Sequence, residues 1–378
     1  MIDPAAFLAI LEQNGVGFFA GVPDSLLQPF CSHLSKTVPA ERHVIAANEG
    51  SAVGLAAGYH LATGAIGCVY MQNSGLGNAV NPLTSLMDSE VYAMPALLLI
   101  GWRGEVLDGR QLHDEPQHGK QGRITLDLLD CLEIPHAVLD AGSADPGDTV
   151  GRVIDQARTR SRPVALVVRK GTFTGDEADL PQPLYPLTRE DALKAVVAAL
   201  PGHAVVVSTT GKASRELYEM RLAAGLATDR DFLTVGSMGH ALQIASGIAL
   251  ARPETTVVCI DGDGALIMHM GGMTTSAALP NLLHIVMNNG THESVGGQPT
   301  KGFAIDMPAL ARACGYAAAW RVADGADIGR DVGKALSIGR SVFLEIRTCS
   351  SSRANLGRPK GTPRDAKLGF MRSLGVGR

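Results

Sequence analysis

Two doubly wound α/β domains, each with a parallel sheet, are what this sequence predicts, and three observations predict them. Short β-branched apolar runs, such as Thr255 to Ile260 and Leu283 to Met287, end abruptly in small polar residues and alternate with helix-length segments. Glycine is abundant, at 44 residues, while aromatics make up only 4%, which suits many tight turns between strand and helix. The alternation occurs twice, on either side of a stretch carrying Pro181, Pro183 and Pro186. The expected domains are residues 1–172 and 189–378, joined by a linker at 173–188, with no room for a middle domain.

Composition narrows the class. With 378 residues, 46% of them hydrophobic and 19% charged, the chain can build two ordinary globular cores. A net charge of −4 gives no reason to expect nucleic acid. No run approaches the roughly 18 apolar residues of a membrane span, and Met1-Ile2-Asp3-Pro4 lacks a signal-peptide pattern, so a cytoplasmic location is expected. The six cysteines form no CxxC pair and sit mostly in apolar surroundings, as buried thiols do.

In the first half, Pro4 to Asn14 reads as an amphipathic helix and Gly17 to Val22 as a strand. Asp24 or Ser25 can cap the next helix, and both stand at the ligand-binding end of that first strand. His43 to Ala47 is a strand, followed by Asn48-Glu49-Gly50-Ser51 and a small-residue helix from Ala52 to Leu61. Glu49 at this helix start is a favourable dipole partner, and Ala46, Ala47, Ala52 and Val53 give it apolar neighbours. The strand Ile66 to Met71 ends in Gln72-Asn73-Ser74-Gly75-Leu76-Gly77-Asn78, whose glycines and amides either cap the next helix or line a pocket. After the strand Ala96 to Ile100, the sequence from Trp102 to Gly122 reads as a long polar loop that concentrates His113, Gln117, His118, Lys120 and Gln121. His136 to Leu139 and Val164 to Arg169 complete a six-stranded domain.

The second half repeats the plan with a helix Arg189 to Leu200 and a strand Ala204 to Val207. Ser208-Thr209-Thr210-Gly211-Lys212 then opens a helix, where the hydroxyls, with Thr210 among them, and Gly211 suit a phosphate or simply cap the helix. Phe232 to Val235 runs into Ser237-Met238-Gly239. The strand Thr255 to Ile260, a helix from Ala265 to Leu279 and the strand Leu283 to Met287 form one βαβ unit. Its right-handed crossover brings Asp263 and Asn289 to the same sheet edge. A carboxylate at Asp263, an amide oxygen at Asn289 and the carbonyl of Thr291 are hard ligands suited to Mg²⁺, which commonly keeps its other positions for water and phosphates. Gly262, Gly264 and Ala265 let the backbone approach such an anion. The strand Ser341 to Arg347 closes the sheet, and a basic tail with Arg353, Arg358, Lys360, Arg364 and Lys367 follows.

GDG at 262–264, about two dozen residues, then NN at 288–289 resembles the signature of the thiamine diphosphate (ThDP) enzymes. The strings GVPDS (21–25), NEGSAVGLAAGYHLATG (48–64), QNSGLGNAVNPL (72–83), DEPQHGKQG (114–122), STTGKASREL (208–217), SVGGQPT (294–300) and LGRP (356–359) are similar to the phosphonopyruvate decarboxylase family, with the sulfopyruvate decarboxylases next by pattern. The resemblance implies a pyrimidine-binding domain followed by a diphosphate-binding domain, ThDP and Mg²⁺ as cofactors, and decarboxylation of phosphonopyruvate within phosphonate biosynthesis. It implies that Glu49 hydrogen-bonds the aminopyrimidine ring and that Met238, beside Ser237, shapes the bent cofactor. It places Asp24, Ser25 and Gln72 near the reacting carbon, and His118, Lys120 and Gln121 on the phosphonate, with Arg353 and Arg358 in reserve. It also implies a homodimer or higher homo-oligomer with active sites between chains. A nucleotide-binding reading would need GxGxxG or a P-loop after a strand, and neither occurs.

Overall fold

The computed structural model describes residues 1–143, 145–175, 184–353 and 355–376. The chain divides into two compact units, Met1–Leu180 with His292–Gln298, and Pro181–Thr291 with Pro299–Arg378. Residues 176–183 of the expected linker lie outside the described residues. The flanking residues are tied to their own units. Ile2 N–H donates to Thr172 O at 2.7 Å and Thr174 N–H to Ile2 O at 2.9 Å, while Cys349 N–H donates to Leu187 O at 2.7 Å.

The first unit is built on strands β1 (Val16–Gly21), β2 (His43–Ile45), β3 (Ile66–Gln72), β4 (Ala96–Gly101), β5 (His136–Leu139) and β6 (Val164–Val168). They pair in the order β2-β1-β3-β4-β6-β5, and every pairing is parallel. Helices cover both faces, which is why the central strands read as unbroken apolar runs: all six residues of β4 are buried. On one face Phe7, Phe19, Phe30 and Phe173 interlock, the rings of Phe7 and Phe30 meeting edge-on at 5.2 Å and those of Phe30 and Phe173 stacking at 5.6 Å. The other face is filled by Ala52, Val53, Met71, Leu98 and Trp102. Register sets Gly21 beside Tyr70 and Gln72 beside Gly101, so the carboxyl ends of β1, β3 and β4 finish level with one another.

The second unit repeats the layout with β7 (Val205–Ser208), β8 (Asp231–Leu233), β9 (Val257–Gly262), β10 (Leu282–Asn288), β11 (Ala318–Arg321) and β12 (Val342–Arg347). Their order is β8-β7-β9-β10-β12-β11, the same permutation as in the first unit. Inside this sheet Cys259, Asp261 and His284 share one buried face. His284 Nδ1 lies 3.1 Å from the Tyr316 hydroxyl, and its Nε2 faces the Asp261 carboxylate at 3.7 Å. Neither His284 Nε2 nor Asp261 Oδ2 has a hydrogen-bond partner among the described residues. The Cys259 thiol beside them is pushed well up by burial, the behaviour of an inert core sulfur.

Three expectations need correction. The polar stretch from Trp102 to Gly122 is not one loop: it holds a short antiparallel hairpin, Val106–Leu107 with Arg110–Gln111, and then the first turns of a helix, Pro116–Cys131. Pro116 at the first helical position suits that start, since the proline lacks only an N–H that would go unused there. The crossover helix expected over Ala265 to Leu279 breaks into Asp263–Met268, a single tight turn at Met270–Gly272, and Met273–Ser276, because Gly271 and Gly272 interrupt it. The edge strand β11 was not expected.

Phe30 is fully buried among three other aromatic rings. Phe30→Ala should therefore lower stability by about 3–5 kcal/mol in chemical denaturation, with the slope of the transition unchanged.

Candidate functional site

In the second unit, β9 delivers Asp263 to the sheet edge, and the parallel neighbour β10 delivers Asn288 and Asn289 to the same edge through the register pair Gly262 with Met287. Asp263 is 2% exposed. Burial pushes its carboxyl up to about 6, opposed by hydrogen bonds from the Thr300 hydroxyl and nearby backbone N–H groups, and it has no ion pair among the described residues. Asn289 and Thr291 are both buried, and Thr291 N–H donates to Asn289 Oδ1 at 3.1 Å. Gly302 closes over the pair: a Cβ there would lie 2.5 Å from both Asp263 Oδ2 and Asn288 Oδ1, so only glycine lets the backbone pass.

Behind this edge Asn288 is fixed from two sides. Its amide donates to Gly302 O and to Glu345 Oε1, each at 2.8 Å. Glu345 is completely buried, and it also accepts from Arg321 Nε at 2.8 Å and Arg347 Nε at 3.0 Å. Across β9, Thr209 follows β7, and its buried hydroxyl has no partner among the described residues. Gly211 beside it has a φ of +95°, which opens the backbone before the helix Lys212–Ala223. An uncompensated buried carboxylate among oxygen donors, with an orphaned hydroxyl on the adjoining strand, fits a divalent cation and a phosphate-bearing cofactor. Ser237 is exposed with a φ of +55°, and Met238 is half-buried. The ring of His240 turns its Nδ1 to the carbonyls of both, at 3.3 and 3.2 Å.

In the first unit, Asn48 caps the helix Glu49–Thr63 by accepting from Ser51 N–H at 2.8 Å, which makes Glu49 the first helical residue. Glu49 is 5% exposed, and burial raises its carboxyl above the usual range despite a 2.8 Å hydrogen bond from Asn78 Nδ2 to Oε2. Gly75 makes room for it, because a Cβ there would come within 2.4 Å of Glu49 Oε1.

Next to it along the sheet edge lies a second group. Asp24, which follows β1, is fully buried, and burial raises its carboxyl too. Gln72 Nε2 donates to its Oδ1 at 2.8 Å and Leu26 N–H to its Oδ2 at 2.9 Å. Arg103, which follows β4, donates from Nη1 to Ser25 Oγ at 3.1 Å and grips Asp114 with Nε and Nη2, the former at 2.8 Å. Burial opposes ionisation of Asp114, but the hydrogen bonds from Arg103, Glu115 N–H and Gly104 N–H outweigh it and hold its carboxyl well below the usual range. His118 is 7% exposed and is kept neutral, first by burial and then by the charge of Arg103.

Asp24, Ser25, Gln72 and His118 therefore come together in one unit, and Asp263, Asn289 and Thr291 at the corresponding edge of the other. Lys120 is exposed on the helix Pro116–Cys131 and has no ion pair among the described residues, and Gln121 is half-buried beside it. Arg353 lies elsewhere, on the surface of the second unit, where Glu190 and Glu219 already match its charge at 2.8 and 2.6 Å. Arg358 is exposed on the same tail. Sequence reasoning missed Arg103, Asp114, Thr300 and Glu345. A cation set directly after an apolar strand was the available signal for Arg103.

Comparison with known proteins agrees with this layout. Residues 4–127 match the family described as thiamine pyrophosphate enzyme, N-terminal TPP binding domain, and residues 210–346 match its C-terminal TPP binding domain. The chain is 36% identical to the phosphonopyruvate decarboxylase of Streptomyces viridochromogenes over 390 aligned residues, covering 98% of this chain and 94% of that one. It is 37% identical to the phosphonopyruvate decarboxylase of Streptomyces hygroscopicus, covering 98% and 93%. It is 27% identical to the sulfopyruvate decarboxylase of Methanosarcina acetivorans, covering 82% and 81%. The chain belongs to the thiamine pyrophosphate enzymes, in the family of the phosphonopyruvate decarboxylases.

Proposed function

We propose that this protein decarboxylates 3-phosphonopyruvate to phosphonoacetaldehyde and CO₂, using thiamine diphosphate and Mg²⁺. The observation that carries the substrate is the similarity to two phosphonopyruvate decarboxylases along 98% of the chain. Turnover of phosphonopyruvate, sulfopyruvate and pyruvate, with the aldehyde products identified, tests it; preference for sulfopyruvate would favour the reading suggested by the Methanosarcina relative.

When bound, thiamine diphosphate supplies the electron sink for the carbon that loses CO₂. Asp263, Asn289 and Thr291 would hold the Mg²⁺, while Gly262, Gly264 and Ala265 with Thr209, Thr210 and Gly211 would lie against the diphosphate. Met238, next to Ser237, would support the rings. Glu49, whose buried carboxyl keeps its proton more readily than an exposed one, would share that proton with the pyrimidine ring. Asp24, buried and raised in the same way, holds a proton for the carbon that gains one, and Gln72 and Leu26 N–H keep its oxygens oriented. Ser25, His118, Lys120 and Gln121 face the substrate's anionic groups. Among the described residues no helix is long and apolar enough to cross a membrane, and the substrate is a small molecule.

Three outcomes are expected. Asp263→Ala removes the charged metal ligand and should abolish Mg²⁺-dependent cofactor binding in calorimetry while the thermal transition is retained; unchanged binding would remove Asp263 from the metal site. Glu49→Gln should retain the cofactor yet slow exchange of its C2 hydrogen by orders of magnitude, read by NMR after acid quench, because an amide cannot relay the proton. The active assembly is at least a homodimer in which Glu49 and Asp263 of one site come from different chains. Mixing inactive Glu49→Gln and Asp263→Ala chains should then recover part of the activity, and no recovery after proven subunit exchange would mean that each site is built within one chain.

A further inference from the structure

A second anion on the substrate needs a fixed cation, and the first unit builds one that the sequence did not single out. We propose that Arg103 is the specificity-determining contact for the phosphonate of the substrate, an inference that rests on the reading of phosphonopyruvate given above.

Register pairs Gln72 of β3 with Gly101 of β4, so Arg103 emerges two residues later at the edge that already carries Asp24, Ser25 and Gln72. Its own segment is anchored on both sides. Trp102 Nε1 donates to Gly122 O at 2.8 Å, and Gln111 Nε2 donates to Gly104 O at 2.8 Å and to Gly119 O at 2.6 Å, tying the hairpin to the helix Pro116–Cys131. The Arg103 side chain is only 20% exposed. A guanidinium carries five N–H donors in a planar fork. Nε and one Nη2 hydrogen go to Asp114, and one Nη1 hydrogen goes to Ser25. One N–H on each terminal nitrogen is left without a partner among the described residues. Two donors on one guanidinium can both bond the oxygens of one oxyanion.

Asp114 pairs with Arg103 itself, so what Arg103 offers an anion is its remaining N–H donors in a half-buried place rather than an unmatched charge, while Asp24 is engaged by Gln72 and the Leu26 N–H, and Glu115 by Gln117 Nε2 at 2.6 Å. His118 adds a donor. Gln117 Nε2, a donor only, lies 3.5 Å from His118 Nε2, which assigns the ring hydrogen to Nδ1, and that buried atom has no partner among the described residues.

The chemistry selects which anion Arg103 serves. The carboxylate is discharged as CO₂, so a guanidinium on it would stabilise the ground state more than the transition state and slow the reaction. The phosphonate keeps its charge throughout. A cation placed on it binds substrate without opposing the loss of CO₂. Lys120, by contrast, is exposed and its ammonium is a flexible point charge without the planar fork.

The test compares phosphonopyruvate with pyruvate, which lacks the phosphonate, in the cofactor-loaded enzyme. Arg103→Gln should lower the ratio of their kcat/KM values by about 10- to 150-fold, mostly through KM for phosphonopyruvate. Arg103→Lys keeps the charge but loses the fork, and should recover part of that ratio; it also serves should the glutamine variant fail to fold. Lys120→Ala should change the ratio by less than either. An equal loss on both substrates from Arg103→Gln and Arg103→Lys, or a ratio that responds to Lys120→Ala and not to Arg103, overturns the inference. A wild-type enzyme that turns over sulfopyruvate or pyruvate but not phosphonopyruvate overturns the proposed function instead, and the two failures are thereby told apart.

Discussion

Parallel pairing in register is the constraint on which the rest of this molecule depends. In both units the strands run the same way and in the same order, so the ends of the central strands finish level at one edge. Chemistry-bearing residues that are far apart in sequence, such as Asp24, Gln72 and Arg103, or Asp263 and Asn289, become neighbours without any local signal joining them. The cost is that strands buried on both faces carry polar groups only where they stop. Each such group must find a partner at the edge, or be left to meet a ligand there.

Three buried carboxyls sit at these edges, and the same cause, burial, raises all of them. Their partners differ. Asp24 receives one hydrogen bond on each oxygen, from Gln72 and Leu26 N–H, and no ion pair. Glu49 has an amide donor on Oε2, while Gly75 leaves the space beside Oε1 open. Asp263 receives hydrogen bonds from a hydroxyl and backbone N–H groups and has no ion pair among the described residues. One cause, burial, thus acts on all three carboxyls, and the hydrogen bonds that oppose it differ at each.

The sheet strands were legible because strands buried on both faces are written as continuous apolar runs. The edge strand β11, Ala-Ala-Trp-Arg, was not, since it has one neighbour and is only partly buried. The helix Pro116–Cys131 was hidden by a first turn of Gln117, His118, Gly119 and Lys120, whose polarity reads as loop; its apolar residues begin only at Ile124, and Leu126, Leu128 and Leu129 are the ones that pack against the core. The shared sheet edge of Asp263 and Asn289 was legible from the βαβ spacing, and the burial of Glu49 from its apolar neighbours. The pairing of Arg103 with Asp114 was not, because it is made by tertiary folding across a hairpin, and the place of Arg103 after an apolar strand says nothing of its partner.

Glu345 shows why an apparently remote charge belongs to the site. It is fully buried on β12, yet two arginines and the Asn288 amide converge on its two oxygens. A buried carboxylate held that way is costly to disturb, because removing one partner leaves charge without compensation. Its grip on Asn288 fixes the residue next to Asn289, and Asn288 in turn holds the carbonyl of Gly302. Gly302 lies against Asp263, so a chain of hydrogen bonds and one close backbone contact runs from the core strand to the carboxylate at the edge. The position of Asp263 is therefore set from behind, by hydrogen bonds that begin on the core strand and end at the carboxylate.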